Sequence, residues 1–276
     1  MTNLTTLQNK TIFFVGGGNM ATALIDGLLG ANADGQLNLA IGVSDPNQAN
    51  LDNFTAKGMR AVLPAQAGEQ IANSDIVVLA VKPQMMGEVC ESIRAFVGKA
   101  LIISIAAGLS IDTLGKMTGS TKIVRTMPNL PATVGYGATG LFANADNVDN
   151  VDKELATAVM AASGAAVWVN NETDLHSVTA VAGSAPAYFF YVLEQMIAKA
   201  VSLGLDANSA KALAVQSMMG AATMAQDGEP SELRAKVTSK GGTTHAAISS
   251  MQDHQVGEHI QAAMQACYDR SVELGA

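Results

Sequence analysis

The stretch TIFFVGGGNMA, residues 11–21, decides the fold class. An apolar run rich in Ile, Phe and Val passes straight into three glycines, and a helical pattern follows at about 19–29. A near-continuous apolar run of this kind reads as a parallel strand covered on both faces by helices. Gly16 allows the tight turn after such a strand. Gly18 lets the backbone approach a pyrophosphate, and Ala21, in the third-glycine position, permits close helix–strand packing. The helix start, at Asn19 and Met20, would then offer N–H donors and a partial positive charge to phosphates. A lone GxGxxA also fits a bland Gly-rich turn. Its place after the first strand and at the opening of a helix is what points to a dinucleotide.

The pattern repeats outward. Further apolar runs stand at 39–43 (LAIGV), 75–81 (DIVVLAV), 100–106 (ALIISIA), 122–126 (KIVRT) and 165–169 (AAVWV). Helical patterns fall at about 46–57, 66–73 and 84–97, with a Gly-rich stretch GYGATGLFAN and a polar stretch NADNVDNVD before the last run. This alternation predicts an α/β fold with a Rossmann-type, doubly wound parallel sheet over residues 1–170. From Thr173 onward no strand pattern continues. Helices are predicted at about 187–204, 207–226, 230–237, 244–252 and 255–273, so residues 171–276 read as an all-helical second domain. The run AYFFYVLEQMIAKAVSLG (187–204) is apolar nearly all round, which predicts burial against a neighbour, with Gly204 as its C-terminal cap.

Ligands of such sheets lie outside the carboxyl ends of the strands. At the end of the second strand stand Ser44 and Asp45. Asp45 reads in two ways: as an acceptor for the adenosine ribose that disfavours a 2′-phosphate, or as a cap for a helix beginning at Pro46. The loop ANADGQLN absorbs the extra spacing from the glycines. The segment Ala80-Val81-Lys82-Pro83 ends DIVVLAV, and Lys82 there lies along the cofactor or is a solvated strand-end lysine. SIAAG (104–108) brings Ala106 and Ala107 to the same edge, where small side chains admit a flat nicotinamide ring.

Composition narrows the function classes. The formal net charge of −8 argues against a nucleic-acid binder. Hydrophobic residues are 49% and charged residues 14% of the chain, a balance that suits extensive subunit contacts. Cys90 and Cys267 have no metal-ligand spacing and read as reduced thiols of a cytoplasmic protein. The polar start lacks a signal-peptide core, and no apolar run reaches the ~18 residues of a membrane span.

The segment LRAKVTSKGGTTHAAISSMQ (233–252) reads as helix, Gly-rich turn, helix. Two glycines and several hydroxyls before a helix make a nest for a small carboxylate or phosphate. They equally fit a flexible loop with Thr243 as N-cap. Taken in order, FVGGGNMA, AVKP, SIAAG, RTMPNLP, AVAGSAPAYFF and VTSKGGTTHAAI resemble the pyrroline-5-carboxylate reductases over nearly the whole chain, with the GGTT segment the most specific part.

That resemblance implies NADPH and/or NADH as cofactor. It implies hydride transfer to the imine of 1-pyrroline-5-carboxylate to give L-proline, and a helical domain that forms a homodimer or a larger ring of dimers. It implies that Ser239, Gly241, Gly242 and Thr243 hold the substrate carboxylate, that the Thr244 hydroxyl bonds the imine nitrogen, and that Asn129 lies near the nicotinamide. No metal is called for. Lys240, Leu130, Ala185 and Ala67 depart from the family pattern, and with Asp45 they leave NADH against NADPH open. His245 reads as a helix-surface residue. A β-hydroxyacid dehydrogenase would need a catalytic lysine, for which Lys199 is the helical candidate. A non-catalytic dinucleotide sensor would show a degraded 239–244 turn.

Overall fold

The computed structural model describes residues 4–33 and 35–275; residues 1–3 of the polar start, Asp34 of the loop at 31–38 and Ala276 lie outside the described residues. The strands are β1 (Thr11–Val15), β2 (Ala40–Ser44), β3 (Arg60–Val62), β4 (Ile76–Leu79), β5 (Leu101–Ser104), β6 (Ile123–Met127), β7 (Gly137–Ala143) and β8 (Gly164–Trp168). The helices among them are α1 (Asn19–Ala31), α2 (Gln48–Ala56), α3 (Gly68–Ala72), α4 (Met86–Ile93), α5 (Ile111–Thr118), α6 (Asn150–Ala161) and α7 (Asp174–Val178). There follow a π-helical turn, Thr179–Gly183, and then α8 (Ala185–Ser202), α9 (Ala207–Met224), α10 (Pro230–Lys236), α11 (Thr243–Asp253) and α12 (Val256–Gly275).

One sheet runs β3-β2-β1-β4-β5-β6-β7-β8. From β3 to β6 all neighbours are parallel. The sheet is not parallel throughout, because β7 runs antiparallel to β6. The link between them spans only residues 128–136, too short for the crossover that a parallel neighbour needs. Helix α6 supplies such a crossover next, and β8 returns parallel to β7. Both faces are packed, as the continuous apolar runs predict. Along β1, Ile12 and Phe14 join one core with Leu24 and Leu28 of α1 and Val159 of α6. Phe13 and Val15 point the other way, into a core with Met86 and Cys90 of α4 and Leu114 of α5.

The chain divides into two compact units. The first holds the described residues through Ser184 together with those from Cys267, and the second is Ala185–Ala266. Helix α12 thus belongs to the second unit up to Ala266 and to the first beyond it. In the second unit α8 packs on α9. Gly204, just past α8, has φ +101°, the left-handed backbone of a helix end. No helix among the described residues is long and apolar enough to cross a membrane.

Candidate active site

Because β1, β2, β4, β5 and β6 are parallel, the residues that follow them share one edge of the sheet. Gly16–Gly18, Ser44–Asp45, Ala80–Pro83, Ala106–Ala107 and Asn129 all stand there. The chain leaves β1 toward β2 on one side, while β4 lies on the other. This is the switch point where doubly wound sheets bind ligands.

The three glycines of the turn do different work. Gly16 has φ +102°, and a Cβ there would lie 2.7 Å from the Ala80 carbonyl oxygen. Its N–H donates to the Ser44 carbonyl at 2.8 Å. Packing therefore requires it. A Cβ on Gly17 would lie 2.7 Å from Phe54 Cε2. Gly18 is exposed and would meet nothing within 4 Å. It is the N-cap of α1 and gives no side-chain cap, so the first N–H groups of α1, from Asn19 and Met20, keep their donors for an outside acceptor. An open glycine at an uncapped helix start fits the diphosphate of a dinucleotide.

Ser44 is buried and acts through its carbonyl. Asp45 is also buried. Its Oδ2 accepts from the Gly17 N–H at 2.7 Å, and its Oδ1 from the Asn47 N–H at 2.8 Å and Asn50 Nδ2 at 3.1 Å. Helix α2 begins at Gln48, not at Pro46, and its N-cap is Asn47, whose side chain accepts from the Ala49 N–H. The helix-cap role read for Asp45 belongs to Asn47. Lys82 is exposed and has no ion-pair partner among the described residues; Pro83 opens a 3-10 turn.

The 104–108 turn is braced from behind. Thr126 Oγ1 donates to the Ser104 carbonyl at 3.0 Å, and the Ala106 N–H to Ser104 Oγ at 3.3 Å. Ala106 is buried and Ala107 exposed. Gly108 has φ +79°, and a Cβ on it would lie 2.9 Å from the Leu274 carbonyl oxygen in the last turn of α12. Beyond it, Glu172 Oε1 accepts from the Ile111 N–H at 2.8 Å and pairs with Arg125 Nη1 at 2.9 Å. Nothing in the sequence reading singled out Arg125 or Glu172; the one signal was an arginine inside an apolar strand. Asn129 is buried with both ends engaged: Nδ2 donates to the Ala182 carbonyl at 3.0 Å and Oδ1 accepts from the Ala138 N–H at 2.8 Å. Its side chain ties the β6 end to β7 and to the π-helical turn. Ala67 lies in the core.

In the second unit, the turn between α10 and α11 is shaped by Gly241, φ +76°. The Gly242 N–H donates to the Ser239 carbonyl at 3.0 Å. A Cβ on Gly242 would come within 2.8 Å of Ser239 Oγ, so that hydroxyl would have to turn aside to admit one. Gly242 is the N-cap of α11 and brings no side-chain cap. The N-cap read for Thr243 falls one residue earlier, and Thr243 is the first helical residue. Its N–H and that of Thr244 keep free donors. The sequence gathers the hydroxyls of Ser239, Thr243 and Thr244 around that helix start. Thr244 is half-buried.

Comparison with known proteins matches this organisation. Residues 172–274 fit the family model described as pyrroline-5-carboxylate reductase dimerisation, and residues 11–108 one described as NADP oxidoreductase, coenzyme F420-dependent. A pyrroline-5-carboxylate reductase of Haemophilus influenzae is 44% identical over 97% of this chain and 98% of its own. One of Pseudomonas aeruginosa is 41% identical over the same shares. The structure of a pyrroline-5-carboxylate reductase from Coxiella burnetii, 37% identical, superposes with a TM-score of 0.91 over 98% of this chain and all of that one. A Plasmodium falciparum pyrroline carboxylate reductase with NADP bound, 28% identical, gives 0.83 over 98% and 99%. By full-length identity and by fold, this chain belongs to the pyrroline-5-carboxylate reductase family.

Proposed function

We propose that the chain reduces the ring imine of 1-pyrroline-5-carboxylate to L-proline, using NADPH or NADH. The observation that carries this reading is the turn at 239–244, in a chain of this family. There an uncapped helix start is surrounded by hydroxyls suited to a small carboxylate. Ser239, Gly241, Gly242 and Thr243 hold the substrate carboxylate through N–H and hydroxyl donors. The Thr244 hydroxyl bonds the ring nitrogen.

A dinucleotide held with its diphosphate at 16–18 and its nicotinamide toward Ala106 and Ala107 would supply the hydride. The residues proposed to hold the dinucleotide or to shape its site are Gly16, Gly18, Asn19, Met20, Ser44, Asp45, Ala80, Val81, Lys82, Pro83, Ala106, Ala107 and Asn129. Hydride on the imine carbon and a proton on nitrogen complete the amine. A protonated imine is already a good hydride acceptor, so the protein's task is alignment and exclusion of competing orientations. Thr244 orients the nitrogen and relays a proton from solvent; its hydroxyl is too weak an acid to be the source.

Residues 1–170 form the dinucleotide-binding part and 171–276 the substrate and dimerisation part of a cytoplasmic homo-oligomer, built as a dimer or as a ring of dimers. The β-hydroxyacid dehydrogenase reading is set aside by family membership. The test is spectrophotometric. NADPH or NADH consumption with 1-pyrroline-5-carboxylate, and proline as the product, is expected. A folded protein that binds the dinucleotide and turns over no imine would overturn the reading.

A further inference from the structure

An acidic residue at the end of the second strand normally reads the adenosine ribose by offering its free oxygens to the sugar hydroxyls. Asp45 stands at that place but is differently employed. It is only 8% exposed. Its Oδ2 is taken by the Gly17 N–H at 2.7 Å, and its Oδ1 by the Asn47 N–H and by Asn50 Nδ2. Phe54 also closes on Gly17, since a Cβ there would meet Phe54 Cε2 at 2.7 Å and Asp45 Oδ2 at 3.3 Å. The carboxylate therefore joins the middle of the glycine turn to the start of α2, and three donors already share its charge.

We infer that Asp45 is a positioning residue, which fixes the curvature of the 16–18 turn through the Gly17 N–H and neither reads the ribose nor excludes a 2′-phosphate. The inference rests on the dinucleotide reading of that turn given above. If Asp45 set the choice of cofactor, removing its charge would favour NADPH over NADH. If it positions the turn, both dinucleotides lose together, because both place their diphosphate against the same N–H groups.

Asp45→Asn separates the two roles. Its amide must turn an NH2 toward either the Gly17 or the Asn47 donor, so one charge-assisted bond becomes a donor–donor contact. NADP+ and NAD+ are titrated calorimetrically against the unaltered protein and the variant. Hydrogen exchange of the Gly17 amide is followed in the dinucleotide-free protein. The expected result is a loss of about tenfold for both dinucleotides, matched within about twofold, with Gly17 exchange about tenfold faster. Weaker NAD+ but tighter NADP+ binding, with Gly17 exchange unchanged, would overturn the inference while leaving the dinucleotide reading intact. An unaltered protein that binds neither dinucleotide would overturn both. Should Asp45→Asn not fold, Asn50→Ala removes one donor and keeps the carboxylate. A parallel loss of about two- to fourfold with faster Gly17 exchange supports the inference, and an unequal loss contradicts it.

Discussion

The two units solve the burial problem in opposite ways. The first wraps a sheet in helices and leaves its central strands dry: Ile12, Phe14, Ile76, Val78, Ile102 and Ile103 are fully buried. In the second, the buried hydrophobic residues are all alanines, namely Ala185, Ala210 and Ala214. Many of its large apolar side chains are exposed. Phe189, Phe190 and Tyr191 on α8 are more than half exposed, as are Leu213, Met219 and Met224 on α9. A helix apolar on several sides must be covered on several sides, and the match of this region to a dimerisation model names the cover as a second copy. The lesson is that periodicity reports how much of a helix is buried in the working molecule, and the single chain supplies only part of it.

The sharpest way to break this contrast is to charge the outward face of α8. The double substitution Phe189→Asp with Phe190→Asp is expected to weaken self-association by more than about a hundredfold, since burying each phenyl ring contributes roughly 1.5–3 kcal/mol and a two-fold contact presents each ring twice. Light scattering of the purified variant checks it. An unchanged oligomer would place the contact elsewhere.

Within the first unit the glycine turn offers a matched pair. Gly16→Ala forces a Cβ against the Ala80 carbonyl at a backbone φ of +102°. It is expected to cost about 1–3 kcal/mol of stability in urea unfolding. Gly18→Ala has φ −70° and open space around it. It should change stability by less than about 0.5 kcal/mol yet weaken NADP+ binding, because the new methyl stands where the diphosphate approaches. Equal effects on both quantities at the two sites would show that the turn is merely structural.

In the second unit, Thr244→Ala is expected to raise the catalytic barrier by about 1–3 kcal/mol while leaving dinucleotide affinity unchanged. Unaltered steady-state constants would remove Thr244 from the mechanism.

The smallest expected effect is on pH. The His176 imidazole is held below its ordinary value, first by burial and then by the Arg125 guanidinium, against a partial counter-pull from Glu172. The unfolded chain therefore binds this proton more readily than the folded one. Its contribution to stability is complete above the ordinary imidazole value of about 6.5 and is lost as pH falls through the lower folded value. His176→Gln should flatten the acid limb of the stability curve, measured by thermal unfolding between neutral pH and the onset of acid denaturation. The ring also bonds Ser271 Oγ at 2.9 Å, so a uniform drop at every pH would show the hydrogen bond to matter more than the charge.

Much of the first unit was legible because buried parallel strands read as continuous apolar runs. What escaped has physical reasons. Strand β3 is only Arg60–Val62, too short to show a period. Strand β7 read as a Gly-rich stretch, but its glycines mark close packing: a Cβ on Gly137 would meet the Ser163 carbonyl at 2.8 Å, and one on Gly140 would meet Val178 at 2.7 Å. Helix α5 is only eight residues long, with Gly115 inside it and a threonine, Thr118, on its buried face beside Ile111 and Leu114. The glycine turn could be placed from its spacing alone. The partners of Asp45 and Asn129 could not, because each reaches across the chain, Asp45 to Gly17 and Asn129 to Ala182. A motif names the residues of a site, and only the fold shows which of their atoms are already taken.

The central claim is that the first unit completes its own core while the second is completed by another copy. Light scattering across a dilution series, with the reductase assay run on the same samples, tests it most directly. The account predicts that the oligomer persists to low concentration and that activity and helical content fall together where it dissociates. A folded monomer that keeps full activity at the lowest concentration would contradict it.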